Sequence, residues 1–191
     1  MKKQLIGVTG SLLSGKTTVS NIFKQKGFLV INADNIGHGI LKNKEVIKKI
    51  VSCFGRDVLK NNKIDRRRLS EKVFSNYNIL KKLNIITHPL ILKGIWEIIN
   101  KSKKKKIVID APLLIESGLY TKMDKVIVVL IDKSEQIKRC IKEGYSEKEA
   151  SARIKSQYAQ YKKMDFADFI IDSSSSKKET RKQALEIIKK L

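Results

Sequence analysis

The residues best suited to chemistry are Gly10-Ser11-Leu12-Leu13-Ser14-Gly15-Lys16-Thr17, with Thr18 behind them. They match G-x-x-x-x-G-K-[ST] at every fixed position. Glycines let the chain curl so that backbone N–H groups point into one concavity. A helix starting there adds the positive end of its dipole. Lys16 can reach the β- and γ-phosphates of a nucleoside triphosphate, and the Thr17 hydroxyl can ligate Mg²⁺. The pattern identifies a nucleotide-binding loop and not a reaction. GTPases, ATPases and small-molecule kinases all carry it.

Two carboxylates stand where such a loop would use them. Asp34 in Ile31-Asn32-Ala33-Asp34 lies just beyond an apolar run read as the second strand. Ligands of open parallel sheets bind at that edge. A carboxylate there can take a proton from a substrate hydroxyl, although a helix cap or turn would also use an Asp. Asp110 ends the strand Ile107–Ile109, the pattern of a residue holding Mg²⁺ through water. A strand-end turn before Pro112 is the other reading. Two GTPase-like patterns are set aside. Asp34-Asn35-Ile36-Gly37 fits D-x-x-G but follows the phosphate loop too soon for a switch segment. Asn62-Lys63-Ile64-Asp65 fits N-K-x-D, but the residues before it are polar and charged, not a late strand.

The elements that must position these groups alternate. Leu5–Val8, Phe28–Ile31, Ile107–Ile109, Val126–Ile131 and Phe169–Ile171 read as five apolar strands. A helix over Thr17–Lys26 ends at Gly27, and one over Lys44–Phe54 ends at Gly55. Asp65 caps a helix carrying Leu69 and Val73. Ile79, Leu80, Leu83 and Ile86 mark another. Pro89 suits the first turn of a further helix, with His88 biased towards an extended conformation. Ser146 with Glu149 and Ser176 with Glu179 have capping-box spacing. Strands apolar throughout, separated by helices, predict a parallel sheet covered on both faces.

The 191 residues carry 41 Lys+Arg against 19 Asp+Glu, a net charge of +22. Such charge suits polyanions, but only 7 of the 41 are Arg. Arg is the residue of bidentate base and phosphate recognition. Lysines scattered among Ile and Asn argue weakly for nucleic acid, and no nucleic-acid partner is expected. Cys53 and Cys140 lie far apart and form no zinc-ligand spacing with His38 and His88. A disulfide framework is excluded and a reducing cytoplasm fits. The longest strongly apolar run, Val126–Ile131, is too short for a bilayer, so no membrane partner is expected. The N-terminal stretch lacks a signal-peptide cleavage pattern.

Taken in order, these residues resemble the dephospho-CoA kinases. The resemblance rests on Gly7-Val8-Thr9-Gly10 running into the phosphate loop, Ala33-Asp34, Phe54-Gly55, Asp65-Arg66, Leu69, Phe74 and His88-Pro89. It continues with Pro112-Leu113-Leu114 and Glu116, Gln136 with Arg139, Gln157, and Ala167-Asp168 with Ile171-Asp172. It implies an α/β, three-layer P-loop kinase fold with a five-stranded parallel sheet, a helical acceptor-binding region and a lid. One domain would span residues 1–191, with its core at about 1–35, 104–133 and 165–191, the acceptor region at about 36–100 and the lid at about 134–160. The implied reaction is ATP-dependent phosphorylation of the ribose 3′-hydroxyl of dephospho-CoA, with Mg²⁺. Asp34 would be the base or hydroxyl-orienting residue, Arg66 and His88 would fall in the acceptor region, and Arg139 on the lid would neutralise transferring phosphate. The chain departs from the family pattern at Asn32 (usually Asp) and Ser173 (usually Asn). A second lid arginine is replaced by Lys142 or Glu143, for which Arg153 or Lys155 could substitute. Oligomeric state is left open.

Two rival readings follow. One is a P-loop kinase with another acceptor, a nucleotide or a shikimate-like alcohol. The other is a basic nucleic-acid-binding protein that uses ATP, which a steep salt dependence of binding would reveal.

Overall fold

The structure is a computed structural model that describes residues 2–74 and 76–191. In chain order it forms β1 (Gln4–Gly10), α1 (Lys16–Gln25), β2 (Leu29–Asn32), α2 (Ala33–Ile40) and α3 (Lys44–Phe54). Next come β3 (Leu59–Lys60), β4 (Lys63–Ile64), α4 (Arg66–Phe74), α5 (Tyr77–Lys101) and β5 (Lys106–Asp110). Then follow β6 (Lys125–Leu130), α6 (Lys133–Lys142), α7 (Glu147–Lys155), α8 (Gln160–Met164), β7 (Phe169–Asp172) and α9 (Lys177–Lys189). They fall into two compact units, one comprising residues up to Asn32 with Ser102–Leu191, the other Ala33–Lys101.

The first unit is the expected five-stranded parallel sheet, in the order β2-β5-β1-β6-β7. Its central strands bury both faces: Ile6, Val8, Val108, Ile127 and Val129 are all 0% exposed. Parallel strands covered on both sides need such unbroken apolar runs. Ile22 and Phe23 of α1 and Ala184 and Ile187 of α9 pack against the sheet. Register matters for the site. Asp110 pairs with Val8 on one side and Asn32 on the other, so the carboxyl ends of β1, β5 and β2 share one edge. Helix α1 stops at Gly27, whose φ is 88°. The Phe28 amide bonds the Phe23 carbonyl and the Gly27 amide bonds Lys24, the paired closure of a Schellman motif.

The second unit is helical around Val46, Ile50, Phe54, Val58, Leu69 and Val73. The Asp65 carboxylate accepts from the Arg67 and Arg68 amides, as its capping role requires. Four features differ from the sequence reading. The helices expected on either side of Pro89 are one helix, α5, with Pro89 inside it and His88 helical. Proline removes the bond to residue i−4. That residue, Ile85, is 66% exposed and Pro89 is exposed too, so the break falls on the water-facing side. The segment from Ala33 is the helix α2, whose two internal glycines disguise it. Gly94 of α5 packs against Ile36 of α2, too closely for a Cβ to fit without a shift. The rejected N-K-x-D lies on the β3–β4 hairpin, whose turn residues Asn61 and Asn62 have φ of 50° and 57°. Positive φ at both turn residues is the type I′ requirement. Finally, α6 forms where the sequence reading placed no separate element. Among the described residues, no helix is long and apolar enough to cross a membrane.

Candidate active site

The phosphate loop joins the tip of β1, the middle strand, to α1. A side chain at Gly10 would collide with the Val129 carbonyl and the Ser14 hydroxyl, so only glycine fits. Gly15 caps α1 at φ 86°, a left-handed conformation that opens the helix towards the loop. The first turn of α1 has no acidic residue. Its positive end is therefore left for an external anion. Lys16 is 9% exposed, and its Nζ donates to the Ser11 carbonyl at 2.8 Å. Its ammonium is folded back over the loop.

Asp110 is 3% exposed at the end of β5. Asn32 Nδ2 donates to Asp110 Oδ2 at 3.3 Å. Here the departure at Asn32 acquires a physical meaning. An amide at this position hydrogen-bonds the buried carboxylate, where a second carboxylate would repel it. Among the described residues, no group of three or more His, Cys, Asp or Glu could hold a metal ion. The donors present suit Mg²⁺ that arrives with a nucleotide, because Mg²⁺ keeps waters and phosphate oxygens and needs only one or two protein oxygens.

The phosphate loop is gripped from α6 and from the end of β7. Gln136 Nε2 donates to Ser11 Oγ at 2.7 Å and to the Leu12 carbonyl at 2.6 Å. Arg139, one turn on, donates to the Leu13 carbonyl at 3.4 Å and to the Ser173 carbonyl at 2.7 Å. Its Nε pairs with Glu135 at 3.0 Å. Ser173 Oγ donates to the Ser14 carbonyl at 2.6 Å. The sequence reading named Arg139 as a phosphate partner but missed the grip by Gln136 and Ser173. Arg153 on α7 lies over the Tyr145 ring, 4.9 Å from its centroid.

Asp132 sets the start of α6. Its carboxylate accepts from the Ser134 hydroxyl and from the Ser134 and Glu135 amides. Those bonds, led by the hydroxyl, hold its pKa below the usual carboxylate range. A carboxyl with a lowered folded pKa stabilises the fold above its unfolded pKa. That stabilisation is lost as pH falls through the folded value. Melting temperature should therefore drop on acidification below about pH 4. Asp132→Asn keeps a cap and should show a shallower acid decline, measured by thermal melts across that range.

Behind the sheet edge lies a buried ion pair. Lys163 is 0% exposed, bonds Glu116 Oε1 at 2.9 Å and donates to the Pro112 carbonyl at 2.6 Å. Burial pushes the Lys163 pKa down, and Glu116 opposes that shift. The Tyr158 amide also donates to Glu116. Lys163→Met would leave a nearly buried carboxylate without its cation, at a cost of about 3–5 kcal/mol. Adding Glu116→Gln should recover much of that, as read by denaturant titration.

In the helical unit, Asp34 is the second residue of α2 and exposed. A carboxylate in a first turn is favoured by the helix dipole. His38 lies one turn along the same helix. Burial holds its pKa below the ordinary value, the Arg66 charge adds to that, and the Asp34 charge opposes it. Asp34, His38 and Arg66 therefore share one electrostatic neighbourhood, which the sequence reading did not join. The Asp34–His38 spacing of four on a helix was the available signal. His88 lies in the interior of α5 and half-buried, not on an extended segment.

An anion cradle at the carboxyl edge of a five-stranded parallel sheet places this protein among the P-loop nucleotide-binding proteins. The profile of the dephospho-CoA kinase family matches residues 4–179. A dephospho-CoA kinase from Geobacillus kaustophilus is 40% identical over 190 residues, covering 96% of this chain and 94% of its own. Among solved structures, a Thermus thermophilus protein superposes with TM-score 0.86 at 26% identity, covering 100% of this chain and 98% of its own. A dephospho-CoA kinase from Campylobacter jejuni gives TM-score 0.62 at 32% identity, covering 98% and 97%. The chain belongs to the dephospho-CoA kinase family.

Proposed function

We propose that this protein transfers the γ-phosphoryl group of ATP to the ribose 3′-hydroxyl of dephospho-CoA, giving coenzyme A and ADP in the last step of coenzyme A synthesis. The observation that carries the reading is the family match over residues 4–179, which takes in both the phosphate loop and the helical unit.

Residues 10–18 receive the triphosphate. Lys16 leaves the Ser11 carbonyl for a phosphate oxygen. Arg139, held by neutral carbonyls and one carboxylate, turns its guanidinium to the transferring group. The two cations spread positive charge over oxygens that gain charge as the γ-phosphoryl moves. Asp34 orients the acceptor hydroxyl and takes its proton as the new P–O bond forms. Arg66 and His88 act on the acceptor side. Thr17 and, through water, Asp110 would hold Mg²⁺, which supplies charge neutralisation at the phosphates. Residues from about 134 to 160 serve as the lid, in which Gln136 already seats α6 on the phosphate loop and the stretch beyond α6 closes to exclude water, so that ATP is not simply hydrolysed. We place the reaction in a reducing cytoplasm, where Cys53 and Cys140, both free thiols, remain reduced.

A coupled ADP-release assay tests the reading, with dephospho-CoA, AMP, CMP, shikimate or no acceptor. ADP release that requires dephospho-CoA is expected. Equal release without acceptor, or a preference for another acceptor, would contradict it.

A further inference from the structure

Four consecutive carbonyls of the phosphate loop each receive a side-chain donor. Ser11 is bonded by Lys16, Leu12 by Gln136, Leu13 by Arg139 and Ser14 by Ser173. A loop whose amides must face an anion has to turn its carbonyls away, and buried carbonyls need donors. Leu13 shows the strain of that shape, with φ at 53° in a residue that is not glycine. The four donors are of two kinds. Lys16 and Arg139 are the cations that a triphosphate recruits in the reading above. Gln136 and Ser173 are neutral, are 2% and 3% exposed, and have no charge to offer a phosphate.

We propose that Gln136 is a positioning residue for phosphoryl transfer, and that with Ser173 it keeps the phosphate loop bent while the two cations move to the nucleotide. This rests on the reading of the chain as an ATP-dependent kinase. Gln136 stands one turn before Arg139 on α6, so one helix fixes both the loop's crest and the guanidinium. Ser173, at a position the family usually fills with Asn, supplies the second neutral clamp with a hydroxyl in place of an amide.

The test compares wild type with Gln136→Met, Gln136→Glu and Ser173→Ala. It measures ATP affinity by calorimetry, both Michaelis constants, kcat and melting temperature. Methionine fills the space without donors. Glutamate sets an acceptor against the Leu12 carbonyl. ATP Kd and KM should rise about tenfold in Gln136→Met and further in Gln136→Glu. The dephospho-CoA KM should stay within about twofold, and the melting temperature of Gln136→Met should fall by only a few degrees, the cost of the Leu12 carbonyl losing its donor. Ser173→Ala should show the same split with a smaller rise, and it carries the test if the Gln136 variants fail to fold. Unchanged ATP affinity in the folded variants would overturn the proposal. So would a rise in both Michaelis constants that merely follows a loss of melting temperature. Calorimetry needs no acceptor, so it judges the clamp separately. Wild type that binds ATP but does not phosphorylate dephospho-CoA would instead overturn the proposed reaction.

Discussion

Lys16→Met is expected to lower kcat by about 10²–10³-fold, the usual loss when a preorganised transition-state donor is removed. The fold should survive. The lysine stem is nearly buried, and methionine replaces it with an apolar chain of similar length. What disappears is the ammonium, which now rests on the Ser11 carbonyl. A phosphate oxygen is a stronger partner for an ammonium than a neutral carbonyl is. In the transition state charge spreads over the transferring oxygens. An ammonium beside them therefore contributes more there than in the ground state. The effect should appear mainly in kcat, with a smaller rise in ATP KM. Steady-state kinetics with ATP varied would show it, and turnover within a fewfold of wild type would end the assignment.

The second large effect is expected at Asp34. Asp34→Asn should reduce kcat by about 10²–10⁴-fold, the usual contribution of a positioned general base, while ATP KM stays unchanged. The residue is exposed in the first turn of α2. Asparagine there keeps a polar side chain of the same size, so melting temperature should hardly move. The carboxylate alone can accept a proton from the acceptor hydroxyl. Wild-type turnover by Asp34→Asn would remove Asp34 from catalysis and point to a role for it in ordering α2.

The phosphate loop and the sheet were legible because each depends on residue types that leave little choice. Only glycine fits at Gly10, against the Val129 carbonyl. Strand interiors buried on both faces must be apolar, and Ile107–Ile109 of β5 and Val126–Leu130 of β6 are. Other elements were hidden by local signals that tertiary packing overrides. Gly37 and Gly39 argue against a helix, yet α2 forms and packs on α5 through the space that Gly94 leaves. Pro89 argues for a boundary, yet α5 runs through it because the lost bond falls on the exposed side. The two-residue strands β3 and β4 are too short to show a period. Helix α6 could have been found, since Asp132 and Glu135 have capping spacing. The roles of Gln136 and Ser173 could not. They lie more than a hundred residues from the loop they hold, and nothing in a single sequence joins them.

The most direct test of the account is to identify the product. Purified protein, ATP, Mg²⁺ and dephospho-CoA should yield a species heavier by one phosphoryl group. Its ³¹P spectrum should show a new monoester beside an unchanged diphosphate, and it should match authentic coenzyme A carrying phosphate on the 3′-oxygen. Conversion of ATP to ADP and free phosphate with dephospho-CoA left intact, or phosphate on any other oxygen, would contradict it.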